Sequence, residues 1–395
     1  MDAALPVSSE SAIRVLHVIG DPVGGIRRHV HALIHGMLEA GLDVGYVYSA
    51  SRCDSAFASD LAAMSDRLVC SRALRMPKRP SWLDISNTLV IARLLRRHRI
   101  QVVHGHGAKG GLYARLAGRL TGARVIYTPH GGTVHAMFPC GERRLYRMVE
   151  RLLRGWTDRY LFESRYSAEG LLRHLGTEGV AWSVNPNGIP RNLPMRDVRG
   201  ADGRPLALGV FGMLRGEKGQ HLAIEAVARL QQAGLDVTLH LFGDGPELAA
   251  WREFSRTLGC EAVVVFHGDV RDALAPMRDM DLVVVPSLFE SFGYAALEAL
   301  AQGVPAIAAR VGGLPEIFDG ELATLLYEPD SALALVEKVE WFAARREAIE
   351  AMVRGSAAGL RDKFSEPAMV QGVLAAYEQL VREPASHRSR GPRGS

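Results

Sequence analysis

Short apolar runs recur along this chain, each closed by Gly, Pro or a polar cluster and followed by a longer stretch with helical apolar spacing. Runs at 13–19, 44–49, 100–103, 125–127 and 158–162 read as strands buried on both faces, the pattern of a parallel sheet. Between them lie helical patterns, such as Ile26, Val30, Leu33, Ile34 and Leu38, or the segments 83–98 and 142–156. A polar segment broken by Gly and Pro, 191–205, then interrupts the alternation and reads as a linker. The series restarts with strands at 206–211, 237–242, 263–266, 282–285, 305–309 and 322–326, and closes on helices that end with 366–382. The pattern therefore predicts an α/β protein of two domains, 1–190 and 191–395, with a final helix long enough to return to the first.

Composition narrows the class. At 395 residues, with 48% hydrophobic and 23% charged content, the chain can bury two separate cores. Cys53, Cys70, Cys140 and Cys260 stand apart without metal or disulfide spacing, which points to a reducing, cytoplasmic setting. The first residues lack a basic segment followed by an apolar one, and no membrane-length apolar run occurs. Charge is lopsided: residues 1–180 carry +10 and residues 181–395 carry −6. A basic first half suits an anionic acceptor or an anionic membrane surface, with solvated helix faces as the plain alternative. Nucleic acid is not the expected partner.

Candidate chemistry collects where strands end, the place where open α/β sheets bind ligands. Glu290, Ser291, Phe292 and Gly293 stand between the strand 282–285 and a helix, so backbone N–H groups there suit phosphate oxygens. Glu298 lies about 7 Å further along that helix at about 1.5 Å per residue, so two carboxylates can address different parts of one polyhydroxylated ligand. After the strand 206–211 the loop carries Arg215 and Lys218, cations suited to a diphosphate leaving group. Val270 follows the strand 263–266.

The first half offers Gly24 and Gly25 before a helix, His104, His106 and Lys109 just past the strand 100–103, and His130 just past the strand 125–127. No Asp, Glu or Cys nearby in sequence completes a metal set around His104 and His106, so neither metal nor cofactor is expected. The glycines at 20, 24 and 25 are misspaced for a dinucleotide fingerprint, which disfavours a dehydrogenase. On the helix 142–156, Arg143, Arg147, Arg151 and Arg154 share one face. Leu145, Met148, Val149, Leu152 and Trp156 share another, read either as packed inward or as a peripheral membrane contact.

Glu290 and Glu298, with Pro286, Ser287, Phe292, Gly293, Gly303, Pro305 and the turn Gly312–Gly313–Leu314–Pro315–Glu316, resemble the E-x7-E signature of retaining glycosyltransferases of family 4. The loop 212–219 resembles the G-R-L-x-x-x-K-G motif of that family, with Met213 where an Arg is usual, Arg215 two positions later and Lys218 aligned directly. The resemblance spans nearly the whole chain. It implies a GT-B arrangement, two Rossmann-like domains facing across a cleft, and transfer of a sugar from a nucleotide diphosphate donor to an acceptor hydroxyl with retention. It implies that Glu290 and His130 contact the transferred sugar and that Glu298 holds the ribose. Phe292, Gly293, Gly24 and Gly25 would approach the donor, and backbone around Val270 would read the base. A UDP-sugar donor and a glycan or lipid-linked glycan acceptor in bacterial surface polysaccharide synthesis are the expectation, with His106 and Lys109 on the acceptor side. A nucleotide-sugar epimerase of the same architecture, or a sugar-nucleotide-binding protein without turnover, are the alternatives.

Overall fold

Parallel strands need a crossover between neighbours, and helices covering both faces leave the strands no polar side. The chain follows this rule twice. The structure, a computed structural model, describes residues 13–382 apart from 52, 55, 132–139, 177, 178, 180 and 198–202. The side chains of Cys140 and Arg143, part of the linker and the C-terminal tail lie outside the described residues.

Among the described residues, 13–162, 169–185 and 369–382 form one unit, and 163–168 with 186–368 form the other. In chain order the first unit carries β1 (Arg14–Ile19), α1 (Gly24–Glu39), β2 (Asp43–Ser49), α2 (Phe57–Met64), β3 (Cys70–Leu74), α3 (Leu83–Arg97) and β4 (Val102–His106). It continues through α4 (Gly107–Thr121), β5 (Arg124–Thr128), α5 (Cys140–Leu153), β6 (Arg159–Phe162), α6 (Arg165–Leu175, whose first turn falls in the other unit) and β7 (Trp182–Val184). Its seven strands run in the order β3-β2-β1-β4-β5-β6-β7, all parallel. The order reverses between β1 and β4, which makes that junction the switch point.

The second unit carries β8 (Leu206–Phe211), α7 (Gln220–Gln232), β9 (Val237–Phe242), α8 (Leu248–Thr257), β10 (Val264–Gly268), α9 (Leu274–Arg278), β11 (Leu282–Val285) and α10 (Tyr294–Ala301). β12 (Ala306–Ala309), α11 (Leu314–Ile317), β13 (Leu326–Tyr327), α12 (Ala332–Ala343) and α13 (Arg346–Lys363) complete it. Its six parallel strands run β10-β9-β8-β11-β12-β13, with the switch point between β8 and β11. Residues 322–326, read from their apolar content as a strand, instead enter the 3-10 turn Gly320–Leu325, and pairing starts only at Leu326. Asp319 caps that turn by accepting from the Gly320 amide, which favours the turn over extension.

The last helix, α14 (Glu366–Arg382), places Met369, Val370, Val373, Ala376, Tyr377 and Leu380 in the core of the first unit, with Val30, Leu33 and Ile34 of α1. Beneath β5, a fully buried ion pair ties α4 to α5. Arg115 donates to both Glu150 oxygens at 2.6 and 3.2 Å and to the Gly111 carbonyl, its guanidinium 4.2 Å from the Tyr127 ring centre. In the second unit Asp281 plays a similar part, accepting from Arg204, Arg346 and the Ala207 amide at the start of β11.

Candidate active site

In the second unit the loops that leave β8 and β11 meet beside the switch point. The Glu217 carbonyl accepts from the amides of Leu288 and Phe289 at 2.9 and 3.3 Å, so one loop holds the other. The clamp sets Lys218 against Glu290, with Nζ 2.6 Å from Oε2 and both side chains partly shielded from solvent. Glu290 is fixed from behind as well, since its carbonyl accepts from the Gly313 amide at 3.0 Å. Gly312 makes this approach possible: it sits at φ +60°, and a Cβ there would lie 1.6 Å from the Glu290 carbonyl oxygen. Lys218 and Glu290 each stand in a motif legible in the sequence, and the fold brings the two into contact.

Gly293 begins α10 at φ +111° with no side chain to cap the first-turn amides, the condition for an anion site at a helix start. Phe292 is buried against Tyr294 and Phe364, so it contributes backbone and packing to this place. Glu298 is buried on α10. Val270 is half-buried just beyond β10.

Arg215 is less committed. It is half-exposed, and its nearest ion-pair partner is Glu217 of the same loop at 3.6 Å. The Met213 carbonyl accepts from Gln220, which ties the loop to α7 at the position where the family motif would carry an Arg.

In the first unit β4 runs on through His106, whereas the apolar run alone ended it at Val103. His104 and His106 are therefore inside the strand. Being two apart they share a face, and the register sets His17 of β1 beside His104. His17 Nδ1 lies 2.9 Å from His106 Nε2, and His106 Nδ1 lies 3.1 Å from His130 Nε2. His104 bridges the Tyr377 hydroxyl at 2.7 Å and Thr128 Oγ1 at 2.8 Å. Burial pushes His17 down to about 3, and burial together with the neighbouring imidazoles holds His104 and His106 well below the ordinary value, so these rings are neutral at pH 7. Along the chain His104 and His106 have no Asp, Glu or Cys beside them. Folding supplies histidines from β1, α1 and the turn after β5.

His106 is fully buried and Lys109 is engaged, so the acceptor-side role expected of them gains no support. Lys109 Nζ sits 2.8 Å from both Asp84 oxygens. Burial opposes ionisation of Asp84, yet bonds from Lys109, Tyr113 and the Ser81 amide hold it below the usual carboxylate range. The Gly24 amide donates to Asp54 at 2.8 Å, so the chain's own carboxylate occupies the donor expected to face a ligand. His130 stands at φ +50°, a conformation uncommon outside glycine, and this turn aims its ring at His106.

On α5 most of the apolar face expected to pack inward or against a membrane stays exposed. Leu145, Met148 and Leu152 are exposed, the last at 68%, and Met148 and Leu152 line a surface pocket with Arg144, Arg147 and Arg151. Glu150 and Leu153 take the buried side, because Arg115 needs the carboxylate there. Among the described residues no helix is long and apolar enough to cross a membrane.

Comparison with known proteins agrees with this architecture. Residues 23–193 match the family model described as Glycosyltransferase Family 4, and residues 205–345 match Glycosyl transferases group 1. The 2-deoxystreptamine glucosyltransferase of Streptomyces kanamyceticus is 27% identical over 328 residues, 76% of this chain and 83% of its own. The UDP-Gal:alpha-D-GlcNAc-diphosphoundecaprenol alpha-1,3-galactosyltransferase of Escherichia coli is 24% identical over 259 residues, 61% of this chain and 67% of its own. Among solved structures, Anabaena HepE in complex with UDP-glucose has the same fold at a TM-score of 0.77 and 17% identity, over 93% of this chain and 100% of that one. With one family model on each half and two Rossmann-like units, the chain is a glycosyltransferase of the GT-B type and belongs to family 4.

Proposed function

We propose that this glycosyltransferase moves a sugar from a UDP-sugar to an acceptor hydroxyl with retention at the anomeric carbon. The observation that carries the reading is the Lys218–Glu290 pair at the switch point of the second sheet, beside the uncapped start of α10. A departing diphosphate gains negative charge, and a partly shielded ammonium together with helix-start amides stabilises that charge without reorganisation. Lys218 is the principal cation and Arg215 a more solvated second one. Glu290 serves the transferred sugar, releasing Lys218 to the phosphates as the donor enters. Glu298 serves the ribose, a role read by the UDP affinity of Glu298→Gln. His130 contacts the transferred sugar. A hexosyl UDP donor is supported by the donor named for the E. coli relative and by the UDP-glucose held in the Anabaena structure. The test is mass analysis of purified protein with UDP-hexoses and an acceptor panel. The expected product gains one hexose; interconversion of UDP-sugars without acceptor would favour an epimerase, and binding without turnover a carrier.

The acceptor is proposed to be a lipid-linked glycan met at an anionic membrane surface, as in surface polysaccharide synthesis. The E. coli relative is named for such an acceptor. The exposed Leu145, Met148 and Leu152 beside Arg144 have the composition of an interfacial helix, and α3 repeats it with exposed Ile85 and Leu89 after Trp82, exposed at its N-cap. Vesicles containing anionic lipid are expected to bind the protein, less so with added salt, and Arg144→Glu with Leu152→Ser should weaken binding. Arg147 and Arg151 are unsuited to the test because both also contact His174. Equal partitioning to neutral and anionic vesicles would rule the reading out.

A further inference from the structure

Five histidines converge in the first unit: His17 on β1, His29 on α1, His104 and His106 on β4, and His130 after β5. Among the described residues two sets of three bring ligating atoms within 4.8 Å of one another, His17 with His104 and His106, and His29 with His106 and His130. The first set is occupied by hydrogen bonds. His104 spends both ring nitrogens on Tyr377 and Thr128, and His17 spends its own on Met37 and His106.

In the second set the hydrogen bond of 3.1 Å runs between two of the ligands themselves, His106 and His130, and His106 is oriented from behind. A thioether sulfur can only accept, so His17 presents Nε2–H to Met37 Sδ, 3.4 Å away, and keeps its lone pair on Nδ1. His106 must then donate from Nε2 to His17, which leaves the Nδ1 lone pair turned towards His130. A metal-bound imidazole is held in this way, with one nitrogen on the ion and the other N–H on a supporting acceptor. The spacing fits as well. Metal–nitrogen bonds of 2.0 to 2.1 Å in a tetrahedral site set ligand nitrogens about 3.3 Å apart, and His106 Nδ1 to His130 Nε2 is 3.1 Å. The His29 ring centre lies 4.8 Å from that of His130 and 5.8 Å from that of His106.

We propose that His29, His106 and His130 form a three-imidazole site for a borderline transition-metal cation of the Zn²⁺ class, with a fourth position open. The all-nitrogen donor set selects against Mg²⁺, which prefers oxygen. Because His130 is also assigned to the transferred sugar, an ion held here competes with transfer and acts as an inhibitor. Binding itself is read without donor or acceptor, so it stands or falls independently of that assignment.

The test uses the intact chain, with Zn²⁺ followed by calorimetry and Co²⁺ by its visible spectrum. One ion per chain is expected, and bound Co²⁺ should show the intense bands of a four-coordinate, nitrogen-ligated ion. His17→Gln, which removes only the support behind His106, should weaken affinity by about 10- to 100-fold; His29→Gln and His106→Gln, which remove ligands, should weaken it further. The exposed His240–His267 pair of the second unit, 3.0 Å between ring nitrogens, is the competing place for an ion, and His267→Ala should leave the measured affinity unchanged. Absence of stoichiometric binding, or binding lost in His267→Ala but kept in His29→Gln, overturns the proposal. Should His106→Gln fail to fold, the Co²⁺ spectrum of the unaltered protein still decides, since a six-coordinate spectrum is incompatible with the site.

Discussion

Lys218→Ala is expected to lower kcat by about 10²- to 10³-fold, the loss that follows removal of one preorganised group facing charge that develops in the transition state. The ammonium is 2.6 Å from Glu290 and only partly exposed, so its charge is held in place and poorly replaced by solvent. Arg215→Ala should cost much less, because that side chain is half-exposed and its charge is screened. The pairing also makes a prediction about coupling. If Glu290 holds Lys218 until the donor arrives, Glu290→Gln and Lys218→Ala should be far from additive, the double variant losing little beyond the worse single one. Steady-state kinetics on all four proteins checks this. Full activity in Lys218→Ala, with a large loss in Arg215→Ala, would move the leaving-group role to the arginine.

Glu150→Ala is expected to destabilise the first unit by about 3 to 5 kcal/mol, since it strands the Arg115 guanidinium in the interior. Arg115 and Glu150 are 1% and 2% exposed, and the pair forms two hydrogen bonds, so the cost is the uncompensated charge in addition to the lost contact. The solvent-exposed pair Arg191–Asp362 provides the contrast: Asp362→Ala should cost no more than about 1 kcal/mol. Two units need not unfold together, so hydrogen exchange at the amides of β4 and β5 is the appropriate measurement. Unchanged protection in Glu150→Ala would mean that the pair is not holding α5 to α4.

Much of this fold could be read from spacing alone. β8, β9 and β11 begin and end where the apolar runs did, and α14 spans the segment whose length and periodicity marked it as a helix. These are local properties: a strand buried on both faces is uniformly apolar, and Gly or Pro closes it. What was not legible required two distant segments. Nothing near Gly24 announces that Asp54 will take its amide, and nothing near His106 announces His17 and His29. The strand β4 was read as ending before its histidines because a polar residue normally marks a strand's end. Here the two-residue period of His104 and His106 was the available signal that the strand continues with both rings on one face. On α5 the helical period identified two faces but could not say which turns inward, because the deciding partner, Arg115, lies on another helix. The candidate site divides in the same way: the motifs named Lys218 and Glu290, and only the Glu217 carbonyl, holding the amides of Leu288 and Phe289, explains why they meet.

The most direct test of the proposed reaction is the anomeric configuration of the product. With an α-linked UDP-hexose as donor and an acceptor identified by mass analysis, proton NMR of the isolated glycoside reads the new linkage. Retention predicts an α-glycoside from the first turnover. A β-glycoside would contradict it, as would a UDP-hexose epimer accumulating with no glycoside formed.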